Sequence, residues 1–419
     1  MNVLHVIGSV APRYGGPSIA VAGMAKALIN RGHHIEIFTT DVDGPSRLPV
    51  PTEKQTDWRG VPTTFFPVSR PRSYATSLSL GAALVRRIGN YDILHIHSLY
   101  LFHSMVAGHY CRQFNVPYLV RPHGTLDPFH RRHHRLRKFA YDMLIERRNL
   151  NAAAGIHYTS TAERDFADSL RLKARSFVVP LGVDAATLKA PTPPHALLRM
   201  EPRLAGRTLV TFIGRLTPKK RLDLLVKAFA SMRNTKSHTH LVIAGPDDEG
   251  IGHQLRTQIR ELGLADRVSL LGLVTGQAKT ALLQQSHIFV LPSYDENFAV
   301  AVVEAMAVGL PVVVTEGVAL HREIDKARAG LVVPSTPTEI GAALHRLLDD
   351  PAMSSSMGRS GQALASSTFA WDRIAIDLEQ MYRQAILEGP SPSSGGQRTR
   401  HITVTTLVRP RARRPEGYP

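Results

Sequence analysis

Short apolar runs alternate with longer stretches of helical periodicity along most of this 419-residue chain. In the first half the runs are Val3–Ile7, Ile35–Thr39, Thr63–Phe66, Ile93–His97, Tyr118–Arg121, Gly155–Tyr158 and Phe177–Val179, with helical patterns such as Ile19–Asn30 and Leu101–Phe114 between them. A strand followed by a helix can rejoin its sheet only by a crossover, which makes successive strands parallel. A second series begins at Thr208–Ile213 and continues through His240–Ala244, Val268–Leu271, Ile288–Leu291, Val312–Thr315 and Leu331–Val333. Its helices are expected at Leu222–Met232, His253–Leu262, Gln277–Gln285, Ala299–Val308 and Thr338–Leu348. The fold class is therefore α/β, with two Rossmann-like, doubly wound domains in tandem. A ligand is expected in a cleft between them, at the carboxyl ends of their strands.

The boundary falls where proline replaces periodicity, at Pro191, Pro193, Pro194 and Pro202. This gives a first domain over 1–183, a linker over 184–206 and a second domain over 207–368. A further helical pattern runs from Ile374 to Ile386. Residues 389–419 turn to Pro, Ser, Gly and Arg, and are expected to be a basic disordered tail. His401–Val408 has β character but reads as a lone strand without partners.

The totals narrow the partners. The chain is 43% hydrophobic and 20% charged, as globular proteins are. Its single cysteine, Cys111, excludes an intramolecular disulfide and a multi-cysteine metal site. The N-terminus lacks the basic leader and apolar length of a secretion signal, and no apolar run long enough to span a bilayer appears. The formal charge of +17 calls for an anionic partner. Aromatic residues make up only 6% and are not interleaved with the basic ones, so nucleic acid is not the expected partner. The surplus is concentrated in Arg131–Lys138 and in the tail.

Four segments carry the chemistry. Ser293 to Pro311 places Glu296 in a loop and Glu304, eight residues on, inside an apolar helix pattern. One carboxylate then lies near a helix N-terminus, which suits anions such as a diphosphate, while both can accept hydrogen bonds from sugar hydroxyls. Two surface glutamates are the plain alternative, but Val302, Val303, Ala305 and Met306 around Glu304 argue against it. Gly214-Arg215 to Lys220 joins a strand to a helix, so that Arg215 and Lys220 can converge on one anion. A solvated basic turn is the alternative there. Gly15 and Gly16, between the first strand and first helix, allow close backbone approach to phosphate or sugar, or form a plain turn. His123, in Arg121-Pro122-His123-Gly124, can reach a sugar hydroxyl or a phosphate, or is a loop histidine. No metal centre is expected: His130, His133 and His134 stand among arginines, and Asp41-Val42-Asp43 reads as a solvated loop.

Together these motifs resemble the family 4 (group 1) retaining glycosyltransferases of the GT-B fold, over residues 1–388. Glu296 and Glu304 match the family's Glu-x7-Glu motif, Arg215 and Lys220 its basic pair, and Gly15 and Gly16 its N-terminal glycine loop. Ala299 departs from it, standing where glycine is usual. The resemblance implies that Arg215 and Lys220 grip the donor diphosphate, that Glu304 binds the ribose hydroxyls, and that Glu296 and His123 contact the donor sugar as the catalytic pair. Backbone N–H groups of Asn297, Phe298 and Ala299 would meet sugar or phosphate oxygens. It further implies metal-independent, front-face hexosyl transfer with retention, no cofactor, and a final helix within 369–388 crossing back onto the first domain. Glu146 to Asn151, with the Arg-Pro-His-Gly segment, resembles members that build bacterial exopolysaccharide or envelope glycans. The partners implied are a nucleotide-sugar donor and a glycan or polyprenyl-linked acceptor. The place implied is cytoplasmic, with Arg131–Lys138 either docking on anionic membrane at its inner face or forming a solvated surface. A nucleotide-sugar epimerase of the same fold and a non-catalytic nucleotide-binding module are the alternatives.

Overall fold

In the computed structural model, residues 1–126, 141–193, 195–232, 237–389 and 401–403 are described. Arg131–Lys138, His130 and the rest of the tail lie outside them.

The second half forms a six-stranded parallel sheet in the order Val268–Gly272, Thr239–Ala244, Thr208–Ile213, Ile288–Leu291, Val312–Thr315, Gly330–Val333. Numbered along the chain this is 3-2-1-4-5-6, the doubly wound order, which reverses between Thr208–Ile213 and Ile288–Leu291. Ile288–Leu291 and Val312–Thr315 are buried throughout, as continuous apolar runs covered by helices on both faces must be.

The first half gives a nine-stranded sheet that reverses between Asn2–Ser9 and Ile93–His97. His34–Thr40 and Val61–Phe66 lie on one side of that point; Tyr118–Arg121, Gly155–Tyr158 and Ser176–Val178 lie on the other. Gln55–Trp58, which sequence reading missed, closes one edge antiparallel to Val61–Phe66. At the other edge His401–Thr403 pairs in parallel with Ser176–Val178. Over those residues the tail is an added edge strand, neither solitary nor disordered as expected.

The expected linker is not a loose tether. Asp184 caps the short helix Ala185–Lys189 by accepting from the Thr187 amide, and Leu188, Leu197 and Leu204 are buried in the second domain's core. Asp41-Val42-Asp43 is likewise more than a loop. Val42–Asp43 pairs antiparallel with Ser46–Arg47, and buried Asp41 accepts from the Val68 amide. Glu146 and Asn149 serve packing: Glu146 accepts from the Tyr100 amide and Ser104 Oγ, and Asn149 accepts from Arg112.

The final helix, Trp371–Glu388, leaves the second domain and packs on the first through Ile374, Leu378, Met381, Tyr382 and Ala385. At the crossing, Val183 N–H donates to the Phe369 carbonyl at 2.8 Å. The Trp371 ring lies where a Cβ on Gly23 would come within 2.1 Å of it, and one on Gly182 within 2.4 Å. The two passages of chain between the domains are thereby joined at one place. Arg13 of the first domain also meets Asp248 of the second at 3.7 Å.

Candidate functional site

A cleft of about 1080 Å³ separates the carboxyl ends of the two sheets. Its walls include Gly15, Gly16, His123, Arg215, Lys220, Glu296, Asn297, Phe298, Ala299 and Glu304, every site residue expected from sequence. Residues far apart in the chain meet there because both topological switch points face it.

The loop from Ser293 to Ala299 is held by backbone bonds. Tyr294 N–H donates to the Lys219 carbonyl at 2.8 Å, Glu296 N–H to Gly317 at 2.9 Å, and Ala319 N–H to Glu296 at 2.9 Å. Ala299 then starts the helix Val300–Ala307 in a left-handed conformation, φ 58° and ψ 60°. That conformation costs a non-glycine residue about 1–2 kcal/mol, the physical content of its departure from glycine. The helix ends in a Schellman motif: Leu310 N–H donates to Ala305, and Gly309 N–H to Met306, with Gly309 at φ 87°. So Gly309-Leu310-Pro311 stops the helix, and its N-terminus opens into the cleft.

Both carboxylates carry a lysine. Lys220 Nζ makes a short ion pair with Glu296. Lys279 Nζ lies 2.7 Å from Glu304 Oε1 and 2.5 Å from Oε2. Beside them Lys219 pairs with Asp295 at 2.6 Å. Burial, then repulsion from Arg215 and Lys219, pulls the Lys220 ammonium down to about 7, with Asp295 acting the other way. The Glu296 contact also opposes the shift. Arg215 is exposed in the cleft. Phe298 turns away from the cavity: its ring is buried and packs edge-on against Phe369.

Across the cleft, His123 and Gly124 form a left-handed turn, φ 52° and 77°. Glu163 holds it, accepting from Gly124 N–H at 2.9 Å and from Thr159 N–H and Oγ1 at 2.8 Å. The turn touches the other domain: a Cβ on Gly124 would stand 1.6 Å from Asn297 Nδ2. His123 Nε2 is 3.1 Å from His97 Nδ1. Burial first, then the Arg121 guanidinium, holds His123 well below the ordinary histidine range. It is a neutral hydrogen-bonding group, not a reservoir of positive charge. At the helix opening, Gly15 has φ 66°, and a Cβ on Gly15 or Gly16 would meet open space.

Sequence reading missed Lys279, Glu163, Arg121 and Trp371, which also line the cleft. Only Glu163 carried a local signal: it follows Ser160 at capping-box spacing, and Ser160 Oγ accepts its N–H at 3.1 Å. Among the described residues one trio, His5, His95 and His97, brings ligand nitrogens within 4.8 Å of one another. It lies inside the first sheet, its rings are already hydrogen-bonded, and Arg121 acts on all three as a neighbouring cation. A metal ion there would be buried beside a like charge.

The chain matches the family model for glycosyl transferases group 1 over residues 199–364, and that for a glycosyl transferase 4-like domain over residues 15–182. A D-inositol 3-phosphate glycosyltransferase of Salinispora tropica is 28% identical over 333 residues, covering 74% of this chain and 67% of the relative. A GDP-mannose:cellobiosyl-diphosphopolyprenol alpha-mannosyltransferase of Komagataeibacter xylinus is 23% identical, with 92% of this chain and 94% of the relative covered. Among solved structures, a sucrose-phosphate synthase from Thermosynechococcus elongatus superposes with a TM-score of 0.75 at 21% identity, over 93% of this chain and 100% of that one. The HepE protein of Anabaena, solved with UDP-glucose, gives 0.72 at 20% identity, over 91% and 99%. None of these relatives is described as an epimerase. Among the described residues no helix is long and apolar enough to cross a membrane.

Proposed function

The chain belongs to the group 1 glycosyltransferases of the GT-B fold, and we propose that it moves a hexosyl group, without a metal ion and with retention, from a nucleotide-diphosphate donor to a glycan or polyprenyl-linked acceptor. The observation that carries this reading is the pairing of Glu296 and Glu304, each with its own lysine, beside the Val300–Ala307 helix N-terminus and Arg215. The pattern supplies what a nucleotide sugar needs. Arg215, Lys220 and the helix N-terminus take the diphosphate. Glu304 takes the ribose hydroxyls and Glu296 the sugar, while the backbone of Asn297, Phe298 and Ala299 meets the remaining oxygens. His123 and the Gly15-Gly16 turn close the site from the first domain.

Cleaving the glycosidic bond leaves negative charge on the diphosphate. Fixed cations and helix N–H groups stabilise that charge without reorganising, which lowers the barrier. Arg215 and Lys220, with the helix N–H groups, supply that positive charge on this reading, and a divalent ion is not needed for it. The acceptor hydroxyl then attacks on the face the leaving group vacates, and the departing phosphate oxygen takes its proton. This front-face route keeps the anomeric configuration. The relatives' names place their reactions on inositol phosphate and on a diphosphopolyprenol-linked glycan. For this chain a lipid-linked or glycan acceptor, met at the inner face of a membrane in the cytoplasm, is the matching proposal.

The test is a screen of UDP-, GDP- and ADP-sugars by thermal shift and transfer, on the wild type and Glu304→Ala, with and without EDTA. One donor should stabilise the wild type and not the variant, and turnover should survive EDTA. The product should carry the donor's anomeric configuration by NMR. Loss of activity in EDTA, an inverted product or a trapped glycosyl-enzyme would each overturn the corresponding part. A response from none of the donors would favour a non-catalytic module.

A further inference from the structure

His5, His95, His97 and His157, all buried, lie behind the cleft wall on three strands of the first sheet, Asn2–Ser9, Ile93–His97 and Gly155–Tyr158, and half-buried His123 stands in the turn that follows Tyr118–Arg121. Their contacts sort into two separate chains. In the first, His157 Nε2 is 2.8 Å from the Val179 carbonyl, His157 Nδ1 is 3.3 Å from His95 Nε2, and His95 Nδ1 is 2.8 Å from the Tyr382 hydroxyl. A carbonyl only accepts, so His157 donates from Nε2 and accepts at Nδ1. His95 then donates from Nε2 and accepts at Nδ1 from Tyr382. Both rings are fully committed, and neither has a nitrogen left for a neighbour.

The second chain runs to the cleft: His5 Nδ1 is 2.9 Å from His97 Nε2, and His97 Nδ1 is 3.1 Å from His123 Nε2. A neutral imidazole donates from one nitrogen and accepts at the other, so this chain has two polarities only. The inward one leaves a buried N–H on His5 Nε2, an atom without a hydrogen-bond partner. The outward one leaves only a lone pair there. Buried N–H groups without acceptors are the rarer state. The Arg121 guanidinium also acts on His5, and a lone pair rather than an N–H suits a neighbouring positive charge. The other groups facing the chain are His95, His103, His157, Tyr382 and Glu163. None reverses it: His103 points its Nε2–H at the His97 carbonyl, 2.6 Å away, and Glu163 is occupied by the Gly124 and Thr159 groups.

We propose that His5 and His97 are positioning residues which lock His123 in its Nδ1–H form, so that His123 serves the cleft as a fixed hydrogen-bond donor. On the function proposed above, the acceptor of that bond is an oxygen of the bound donor sugar. A lone loop histidine would divide its population between two tautomers and turn its ring; this one arrives oriented, with its Nε2 already occupied.

The tautomers are read directly from long-range proton–nitrogen correlations in 15N-histidine-labelled protein. Signals are assigned by substituting single histidines. Ligand-free wild type should show His5, His97 and His123 all protonated at Nδ1. An Nε2-protonated His123 there overturns the proposal, and this result needs no variant to fold. His97→Leu should release His123 into mixed tautomers and lower kcat about tenfold, the worth of one oriented hydrogen bond. The donor KM should change little. His97→Asn, whose amide N–H stands near the lost Nδ1–H, should restore most of it. An unchanged His123 tautomer in His97→Leu also refutes the relay. Correct tautomers with no transfer from any nucleotide sugar would leave the relay standing and sink the functional reading instead.

Discussion

Replacing Lys279 with methionine tests the least expected contact in the cleft. The ammonium lies 2.7 and 2.5 Å from the two Glu304 oxygens, and the two side chains are only 19% and 11% exposed. Methionine keeps an unbranched apolar stem in place, so the change removes charge more than packing. Breaking a fully buried pair costs about 3–5 kcal/mol, and an exposed one about 0–1. The residual exposure here sets the expected cost near 2 kcal/mol. In a domain of this size that lowers Tm by about 4–8 °C, measured by circular dichroism. Glu304→Gln in the same background should recover most of the loss, because the stranded charge is then gone. The second arm adds a free nucleoside, uridine, guanosine or adenosine, which offers ribose hydroxyls without phosphate. In Lys279→Met those hydroxyls meet an unpaired carboxylate, so the nucleoside that fits should raise Tm more than in wild type. Equal shifts in the two proteins would show that Glu304 does not hold the ribose. A Tm within about 1 °C of wild type would refute the energetic argument itself.

Three further outcomes follow from the geometry. Ala299→Gly relieves the left-handed strain but loosens the unfolded chain, for a net gain of about 0.5–1 kcal/mol by urea unfolding with donor KM preserved; a loss would mean that the Ala299 methyl packs productively. Gly124→Ala drives a methyl into Asn297, which should spread the domains, loosen donor binding and show as a larger radius in X-ray scattering. Lys220 loses its proton from about pH 7 in the folded protein but only near 10.5 unfolded, so the unfolded state binds more protons between these values and this residue's share of stability rises with pH across that window. A bound diphosphate favours the ammonium, so donor binding at pH 8 should take up a fraction of a proton. Calorimetry in buffers of different ionisation enthalpy reads that uptake, and proton release would contradict it.

The second domain's half of the cleft was legible in the sequence because its residues sit at short range on repeating units. A strand, a turn carrying Arg215 and Lys220, and a helix make one such unit; a strand, a loop carrying Glu296 and a helix carrying Glu304 make another. The parallel sheet puts every such turn on the same side, so α/β alternation alone implied convergence. Ala299 was legible as a departure, and its positive φ supplies the reason.

What remained silent depends on distance through space. Lys279 opens no motif, and it meets Glu304 only because neighbouring helices cover the same sheet. His5, His95, His97, His123 and His157 are scattered among twenty histidines; register brings His5 opposite His95 and so within hydrogen-bond reach of His97 on the neighbouring parallel strand. The same holds for Trp371 against Gly23 and for Gly124 against Asn297, where absent side chains make room for contact between distant segments. Hydrophobic periodicity sets the order and direction of strands because each residue's burial is a local matter. Partnership between charges and between rings is decided later, by which elements the close-packed layers place side by side.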